Sequence, residues 1–255
     1  MPFTENYMVQ PPSNGFVIWR YMDLPKFLVM LEQRSLYFAL LREFEDKWEA
    51  VISRGLSRGI QSVSGATSGT VIKNYQEVFE HLGINCWYTG PDESIAMWRL
   101  YTSSEYGLAI KSTVGHLKRA LEEAREAVLI GQVEYRDHTD APSEVLTPAI
   151  VSPFSAVLQK RTCYKHECEI RAITQVDLDC QSGIPAGTVN LDICSRHGTL
   201  LPVDLQVLIQ SVTTGPRFPK WACALVTSAL SRATLNVPIN ESNAFKEPEA
   251  RYFEP

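Results

Sequence analysis

The run of residues 160–174 constrains the fold more than any other part of the chain. It reads Lys-Arg-Thr-Cys-Tyr-Lys-His-Glu-Cys-Glu-Ile-Arg-Ala-Ile-Thr. Side chains alternate between the two faces of a β-strand, and the pattern predicts a strand over 165–176. In that strand Glu167, Glu169 and Arg171 share one face, and about 7 Å separates the two glutamates along the chain. The sequence therefore predicts a chemically dense strand with two carboxylates close together.

Two carboxylates at this spacing raise the proton affinity of at least one of them, unless a cation lies between them. Four nearby cations are candidates for that role: Lys160, Arg161, Lys165 and Arg171. Perturbed carboxylates are candidates for catalysis, but charge pairs on strands are common and usually inert. The alternative is a solvated edge strand, whose alternating charges protect its unpaired backbone groups.

The rest of the chain mixes short strand and helix patterns without a regular βαβ repeat. Such mixing favours an α+β fold, with a mixed, mainly antiparallel sheet and flanking helices, over a doubly wound sheet. We expect a single domain over 16–245, because 255 residues with 45% apolar content can build one sizeable core. A flexible lead-in is predicted at 1–15, a Ser/Gly-rich loop at 53–70 and a tail at 246–255.

Composition and charge argue against several classes of protein. The net charge is −5 and no basic tract occurs, which argues against a dominant phosphate-backbone binder. The six cysteines form no CxxC pair, so no metal site is predicted. The N-terminus lacks a signal-peptide pattern and no apolar run reaches membrane-spanning length. The expectation is a cytoplasmic protein with reduced thiols and no membrane partner.

Several short pieces of the chain, taken in order, resemble a known family. The pieces are Trp19-Arg20-Tyr21-Met22-Asp23, Leu36-Tyr37-Phe38, Phe44-Glu45-Asp46-Lys47-Trp48-Glu49, Cys86-Trp87-Tyr88, Met97-Trp98 with Tyr101, Gly107-Leu108-Ala109-Ile110, and Lys160 with Tyr164-Lys165-His166-Glu167-Cys168-Glu169-Ile170-Arg171. Together they resemble the bacterial and phage-associated domain-of-unknown-function family numbered twenty-nine seventy-one. One departure is the acidic turn, where the family usually has Asp-Pro and this chain has Asp46-Lys47. The family name itself implies no activity.

A second resemblance, to mono-ADP-ribosyltransferases, implies a chemistry. It consists of Arg20 in the first strand, Tyr101 with Ser103 or Ser104 in a middle segment, and the late Glu167-Cys168-Glu169 motif. The resemblance implies NAD as the substrate and Glu169 as the catalytic carboxylate, because the transition state for breaking the glycosidic bond is oxocarbenium-like.

The same resemblance gives the other candidates a role. Arg20 would pair with the pyrophosphate, and Glu167 would orient or deprotonate an acceptor. Aromatic rings can stack on nicotinamide, and Tyr37 is as good a claimant for that role as Tyr101. The candidate contacts to the nucleotide are Arg20, Tyr21, Tyr37, Tyr101 and Ser103.

These observations favour an enzyme that transfers ADP-ribose from NAD or hydrolyses NAD. The acceptor is an unknown protein or nucleic acid, and the family context suggests defence or toxin biology. One alternative is a non-catalytic module on the same scaffold that binds a nucleotide or a protein. Another is a metal-dependent phosphodiesterase using Asp46, Glu49, Glu167 and Glu169. Arg20 also has a plainer interpretation as a strand-end charge paired with Asp23 or Asp46.

Overall fold

The computed structural model describes residues 12–49, 51, 67–102, 105–136, 153–176 and 197–246. Most of the predicted lead-in, the predicted loop up to residue 66 and the tail from residue 247 lie outside this part of the chain, as does Ser103. Within it, no helix is both long enough and apolar enough to cross a membrane.

The residues that the structure describes contain eleven β-strands. They are Val17–Asp23 (β1), Ser35–Leu40 (β2), Leu82–Thr89 (β3), Gly107–Thr113 (β4), Val128–Gln132 (β5), Glu134–Arg136 (β6), Gln159–Arg161 (β7), Glu169–Gln175 (β8), Gly198–Pro202 (β9), Ser211–Thr214 (β10) and Ile239–Glu241 (β11).

The helices are short, and most of them connect strands. They are Leu24–Gln33 (α1), Ser68–Glu80 (α2), Ile95–Tyr101 (α3), Val114–Ala120 (α4), Pro153–Val157 (α5), Leu205–Leu208 (α6) and Lys220–Arg232 (α7), with 3₁₀ turns at Leu41–Glu43 and Thr162–Glu167. Helix α2 begins at Ser68 because the Thr67 side chain accepts a hydrogen bond from the Thr70 N–H. The predicted loop at 53–70 therefore overlaps the first turn of this helix.

One branched sheet organises the fold, and its main path runs β11-β10-β4-β1-β3-β2-β9. All of its strand pairs are antiparallel except β10 with β11. Strand β3 also pairs with β8 along its length, and β8 pairs with β5. A separate parallel pair joins β6 to β7. The predicted α+β class with a mainly antiparallel sheet is confirmed.

The branch at β3 opens the sheet. The end of β3 near Thr89 pairs with β1, and its beginning near Gly83 pairs with β2. Strands β1 and β2 therefore meet β3 at opposite ends and separate between these two contacts. Side chains replace part of the missing ladder, because Asn85 of β3 donates to the Tyr37 carbonyl of β2 at 2.8 Å.

Helix α1 connects the two separated strands. Pro25 lies in its first turn, where a missing N–H costs no intrahelical bond. The helix ends at Arg34, a left-handed residue whose N–H donates to the Met30 carbonyl. Leu24, Phe27, Met30 and Leu31 face the main core, while Leu28 is exposed.

The predicted strand at 165–176 is correct only in its second part. Residues Thr162–Glu167 form a 3₁₀ turn, and Cys168 takes a left-handed conformation with φ of 40°. Alternation therefore starts at Glu169, and Glu167 does not belong to the strand face. Strand β8 also has a partner on each side, so the edge-strand alternative is wrong.

Candidate active site

A cleft of about 550 Å³ lies where β1 and β2 separate. Its walls are formed by β1, α1, β2 and β3, and α3 and the start of β8 contribute further side chains. The volume falls in the range of roughly 300–1,000 Å³ that is usual for small-molecule sites. The opening of the sheet therefore creates a cavity that can hold a ligand.

Six of the predicted site residues line this one cleft. They are Arg20, Tyr21, Tyr37, Tyr101, Glu167 and Glu169. They come from four separate segments of the chain, so the convergence of these segments is a property of the fold and not of sequence proximity. Ser103, the remaining candidate, lies outside the described residues.

Behind Glu167 and Glu169 lies a buried cluster of charges. Lys160 Nζ lies 2.5 Å from a carboxylate oxygen of Glu167, 3.6 Å from one of Glu169 and 3.1 Å from one of Glu49. Arg171 Nη2 lies 2.8 Å from Glu169 and 2.6 Å from Glu49. The five side chains are between 0% and 8% exposed. We call these five residues the charge cluster.

The charge cluster explains how two neighbouring carboxylates are tolerated. Of the four predicted cations, Lys160 contacts both Glu167 and Glu169, and Arg171 contacts Glu169. Arg161 instead pairs with Asp46 at 3.0 Å, and Lys165 is exposed. The expected cation between the carboxylates is therefore present, although Glu167 reaches it from the 3₁₀ turn.

The cations keep Glu169 ionised. Burial alone would raise the pKa of the Glu169 carboxyl, but Arg171 and Lys160 outweigh it and hold the pKa below its ordinary value. Conversely, burial would lower the pKa of Lys160, yet Glu169 and Glu49 hold that pKa above its ordinary value. Counted by formal charge, the cluster has three carboxylates against two cations, a sum of −1.

Arg171 is held by its surroundings on β8. It pairs in register with Gly131 of β5, which has no side chain and leaves room on that side. Its Nη1 donates to the Val157 carbonyl at 2.7 Å. The side chain is fully buried, and only strong local partners make that arrangement tolerable.

Arg20 of β1 also lines the cleft. Its Nη1 donates to the Cys86 carbonyl at 2.6 Å, which fixes the guanidinium at the gap between β1 and β2. Among the residues that the structure describes, no carboxylate forms an ion pair with it. Burial lowers the pKa of Arg20, with Cys86, Tyr101 and Glu169 opposing that effect. Asp46, one of its predicted partners, pairs with Arg161 instead.

The three tyrosines differ in exposure and in packing. Tyr21 is 7% exposed, its ring packs edge-on against Trp98 at 4.8 Å, and its hydroxyl accepts the Ser94 N–H. Tyr101 is 42% exposed, and burial and then the charges of Glu167 and Glu169 raise the pKa of its hydroxyl. Tyr37 is half-buried and lies close to Gly198. Tyr37 and Tyr101 both line the cleft, whereas the Tyr21 ring is held by its packing against Trp98.

The same geometry disfavours the metal-dependent phosphodiesterase. Glu49, Glu167 and Glu169 converge, but the centre they share is occupied by the ammonium of Lys160. Asp46 is tied to Arg161. No group of three or more potential metal ligands occurs among the described residues.

Comparisons with known proteins give one low-level likeness. No protein-family model matches the sequence, so the resemblance to the family numbered twenty-nine seventy-one is not confirmed, and no curated protein matches it. Two solved structures of Thermus sp. 2.9 DarT are similar. One is in complex with carba-NAD⁺ (10% identity, TM-score 0.36, covering 93% of this chain and 100% of that one). The other is in complex with ADP-ribosylated ssDNA (9%, 0.37, 94% and 100%). Because these values are low, the function proposed below depends on the cleft and not on this likeness.

Two features of the site were not predicted as parts of it. Glu49 was assigned only to the metal alternative, and no sequence signal brings it to residues 160–171. Cys86 lines the cleft in register with Arg171, and burial and then the charge of Glu169 raise the pKa of its thiol well above the ordinary value. Both positions follow from the pairing of β3 with β8 and from the path of the 44–49 segment.

Proposed function

We propose that this protein cleaves the bond between nicotinamide and ribose in NAD and passes ADP-ribose to an acceptor or to water. The observation that carries this proposal is the convergence along one cleft of the Arg20 guanidinium, two tyrosine side chains and the Glu167 and Glu169 carboxylates. Each of these groups matches a different part of the dinucleotide.

The carboxylate end of the cleft supports the bond-breaking step. As the bond between ribose C1′ and the nicotinamide nitrogen breaks, its electron pair leaves with nicotinamide and positive charge develops on the ribose. The ionised Glu169 carboxylate and the net negative charge of the cluster would stabilise that charge. The acceptor oxygen or nitrogen then bonds to C1′ and loses its proton, for which Glu167 is the candidate base.

The rest of the cleft supports binding of the substrate. The Arg20 guanidinium has donors left for the pyrophosphate after its bond to the Cys86 carbonyl. Tyr37 and Tyr101 offer rings for stacking on nicotinamide. The protein or nucleic-acid identity of the acceptor stays a prediction, as does a role in defence or toxin biology.

Nicotinamide release from NAD tests the proposal, measured by chromatography with and without cell extract as a source of acceptor. We expect release by the wild type and loss of at least a hundredfold in Glu169→Gln, because the substitution removes the charge and keeps the shape. Glu77→Gln on the exposed face of α2 is the matched control and should retain full release.

Two results would contradict the proposal in different ways. Release that survives Glu169→Gln would place the chemistry elsewhere or in a contaminant. The absence of release, together with no heat of NAD binding in calorimetry, would favour the non-catalytic binding module.

A further inference from the structure

Glu49 occupies a place in the charge cluster that its position in the sequence does not suggest. Its side chain is 4% exposed, and its two carboxylate oxygens face different cations, Oε1 toward Lys160 at 3.1 Å and Oε2 toward Arg171 at 2.6 Å. Glu167 and Glu169 line the cleft, whereas Glu49, Lys160 and Arg171 lie behind them. Glu49 is therefore placed to act on the site without contacting a ligand.

The segment that carries Glu49 is anchored next to the cluster. Asp46 accepts two hydrogen bonds from Arg161 and a third from the Trp48 N–H. The Trp48 ring lies under the Arg161 guanidinium, 5.7 Å from ring centre to carbon. Because Arg161 follows Lys160 directly, the same short strand β7 fixes Glu49 and the ammonium that it contacts.

Glu49 decides the sign of the charge behind the cleft. Without it, two carboxylates would face two cations, and the cluster would be neutral. With it, the formal charge of the cluster is −1, next to the place where the proposed reaction develops positive charge. Lys160 has the opposite influence, because it brings a positive charge to both cleft carboxylates.

We propose that Glu49 and Lys160 are an opposed pair of positioning residues that set the charge felt at the Glu169 carboxylate. The catalytic part of this proposal rests on the proposed function, whereas the electrostatic part does not. Removal of Lys160 should make Glu169 easier to protonate, and removal of Glu49 should make it harder. A merely structural role would give both variants changes of the same sign, because each would only loosen the cluster.

Several other groups face Glu169, and all of them stay unchanged in the two variants. From β8 and the turn before it come Arg171 and Glu167, from β3 the Cys86 thiol, from β1 Arg20 and from α3 Tyr101. The Tyr135 hydroxyl accepts the Glu169 backbone N–H at 2.8 Å. Because these groups are the same in every variant, a difference in the Glu169 titration midpoint between variants is due to Glu49 or Lys160.

The test is an NMR titration of the Glu169 side-chain carboxyl in protein labelled with ¹³C at glutamate, without NAD. The signal is assigned by its absence in Glu169→Gln. We expect the midpoint in Lys160→Met to rise by about one pH unit or more. In Glu49→Gln it should fall, or the carboxyl should stay ionised down to acid unfolding. The double variant should lie between the two single variants.

Controls separate the charge from the fold. Lys160→Arg keeps the cation and should restore the wild-type midpoint, and Glu77→Gln should leave it unchanged. If Lys160→Met does not fold, Lys160→Gln takes its place. A midpoint that is unchanged in Lys160→Met, or raised in Glu49→Gln, overturns the proposal.

Kinetics extend the test to the reaction. Glu49→Gln should lower kcat for nicotinamide release at least tenfold with little change in KM for NAD, and Glu49→Asp should recover part of it. Opposed NMR shifts in a protein that releases no nicotinamide would uphold the electrostatic proposal and refute the proposed function. Nicotinamide release together with NMR shifts of the same sign would support the proposed function and refute the electrostatic proposal.

Discussion

Removal of the Arg171 guanidinium should be the most damaging single change in the charge cluster. In Arg171→Met the fully buried side chain keeps much of its length but loses two ion pairs and the bond to the Val157 carbonyl. Breaking a buried ion pair by removing one partner typically costs about 3–5 kcal/mol, because the other charge is left uncompensated. We expect a loss of about 4 kcal/mol in the free energy of unfolding at pH 7.

The loss should depend on pH with a defined sign. The folded-state pKa of Glu169 lies below its ordinary value of about 4.5, because Arg171 and Lys160 together outweigh burial. A carboxylate of this kind contributes stability above its unfolded-state pKa and loses that contribution as the pH falls through its folded-state pKa. The difference between wild type and Arg171→Met should therefore be largest near neutral pH and shrink below about pH 4.5.

Urea denaturation followed by circular dichroism, repeated between about pH 7 and pH 3, measures both effects. Arg42→Met is the matched control, because Arg42 pairs with Glu80 on the surface. The free energy of unfolding of Arg42→Met should differ from that of the wild type by no more than the error of the fit. A loss below about 1 kcal/mol for Arg171→Met, or one that does not shrink at low pH, would refute the reasoning about the cluster.

Two further predictions concern the contacts of β2 with β3 and with β9. Asn85→Leu should lower the free energy of unfolding, measured by urea denaturation, by about 2–4 kcal/mol. The buried Asn85 amide accepts from the Trp87 indole and donates to the Tyr37 carbonyl of β2, and both of these groups would lose their partner. A loss near zero would contradict this role. Gly198→Ala should lower Tm by several degrees, because the new Cβ would lie 2.3 Å from the Phe38 carbonyl oxygen, whereas Gly69→Ala, with nothing within 4 Å, should not. Equal melting temperatures for the two alanine variants would contradict the close approach of β9 to β2.

The sequence predicted the parts of this fold that depend on local pattern. The strand predicted over 165–176 was correct from Glu169 onward, because the alternation of side chains is a pattern of neighbouring residues. The fold class followed from the irregular order of strands and helices. The boundary at Glu169 could not be predicted, because it depends on one residue, Cys168, in a left-handed conformation that cysteine rarely adopts.

The candidate site was also predicted only in the part that depends on neighbouring residues. The sequence brought forward Glu167, Glu169 and their local cations because they are neighbours in one short segment. It could not predict that Lys160 and Arg171 would be used and Arg161 would not, since that choice depends on the path of residues 44–49 across the sheet. The branch of the sheet at β3, which creates the cleft, involves strands far apart in sequence and leaves no local signal.

The most direct test of the central claim is a crystal structure of this protein with a non-hydrolysable NAD analogue. The account predicts that the analogue lies in the cleft between β1 and β2, with its nicotinamide ribose against Glu169 and its pyrophosphate within hydrogen-bonding distance of Arg20. An analogue bound elsewhere on the surface, or a cleft that stays empty at saturating concentration, would contradict it.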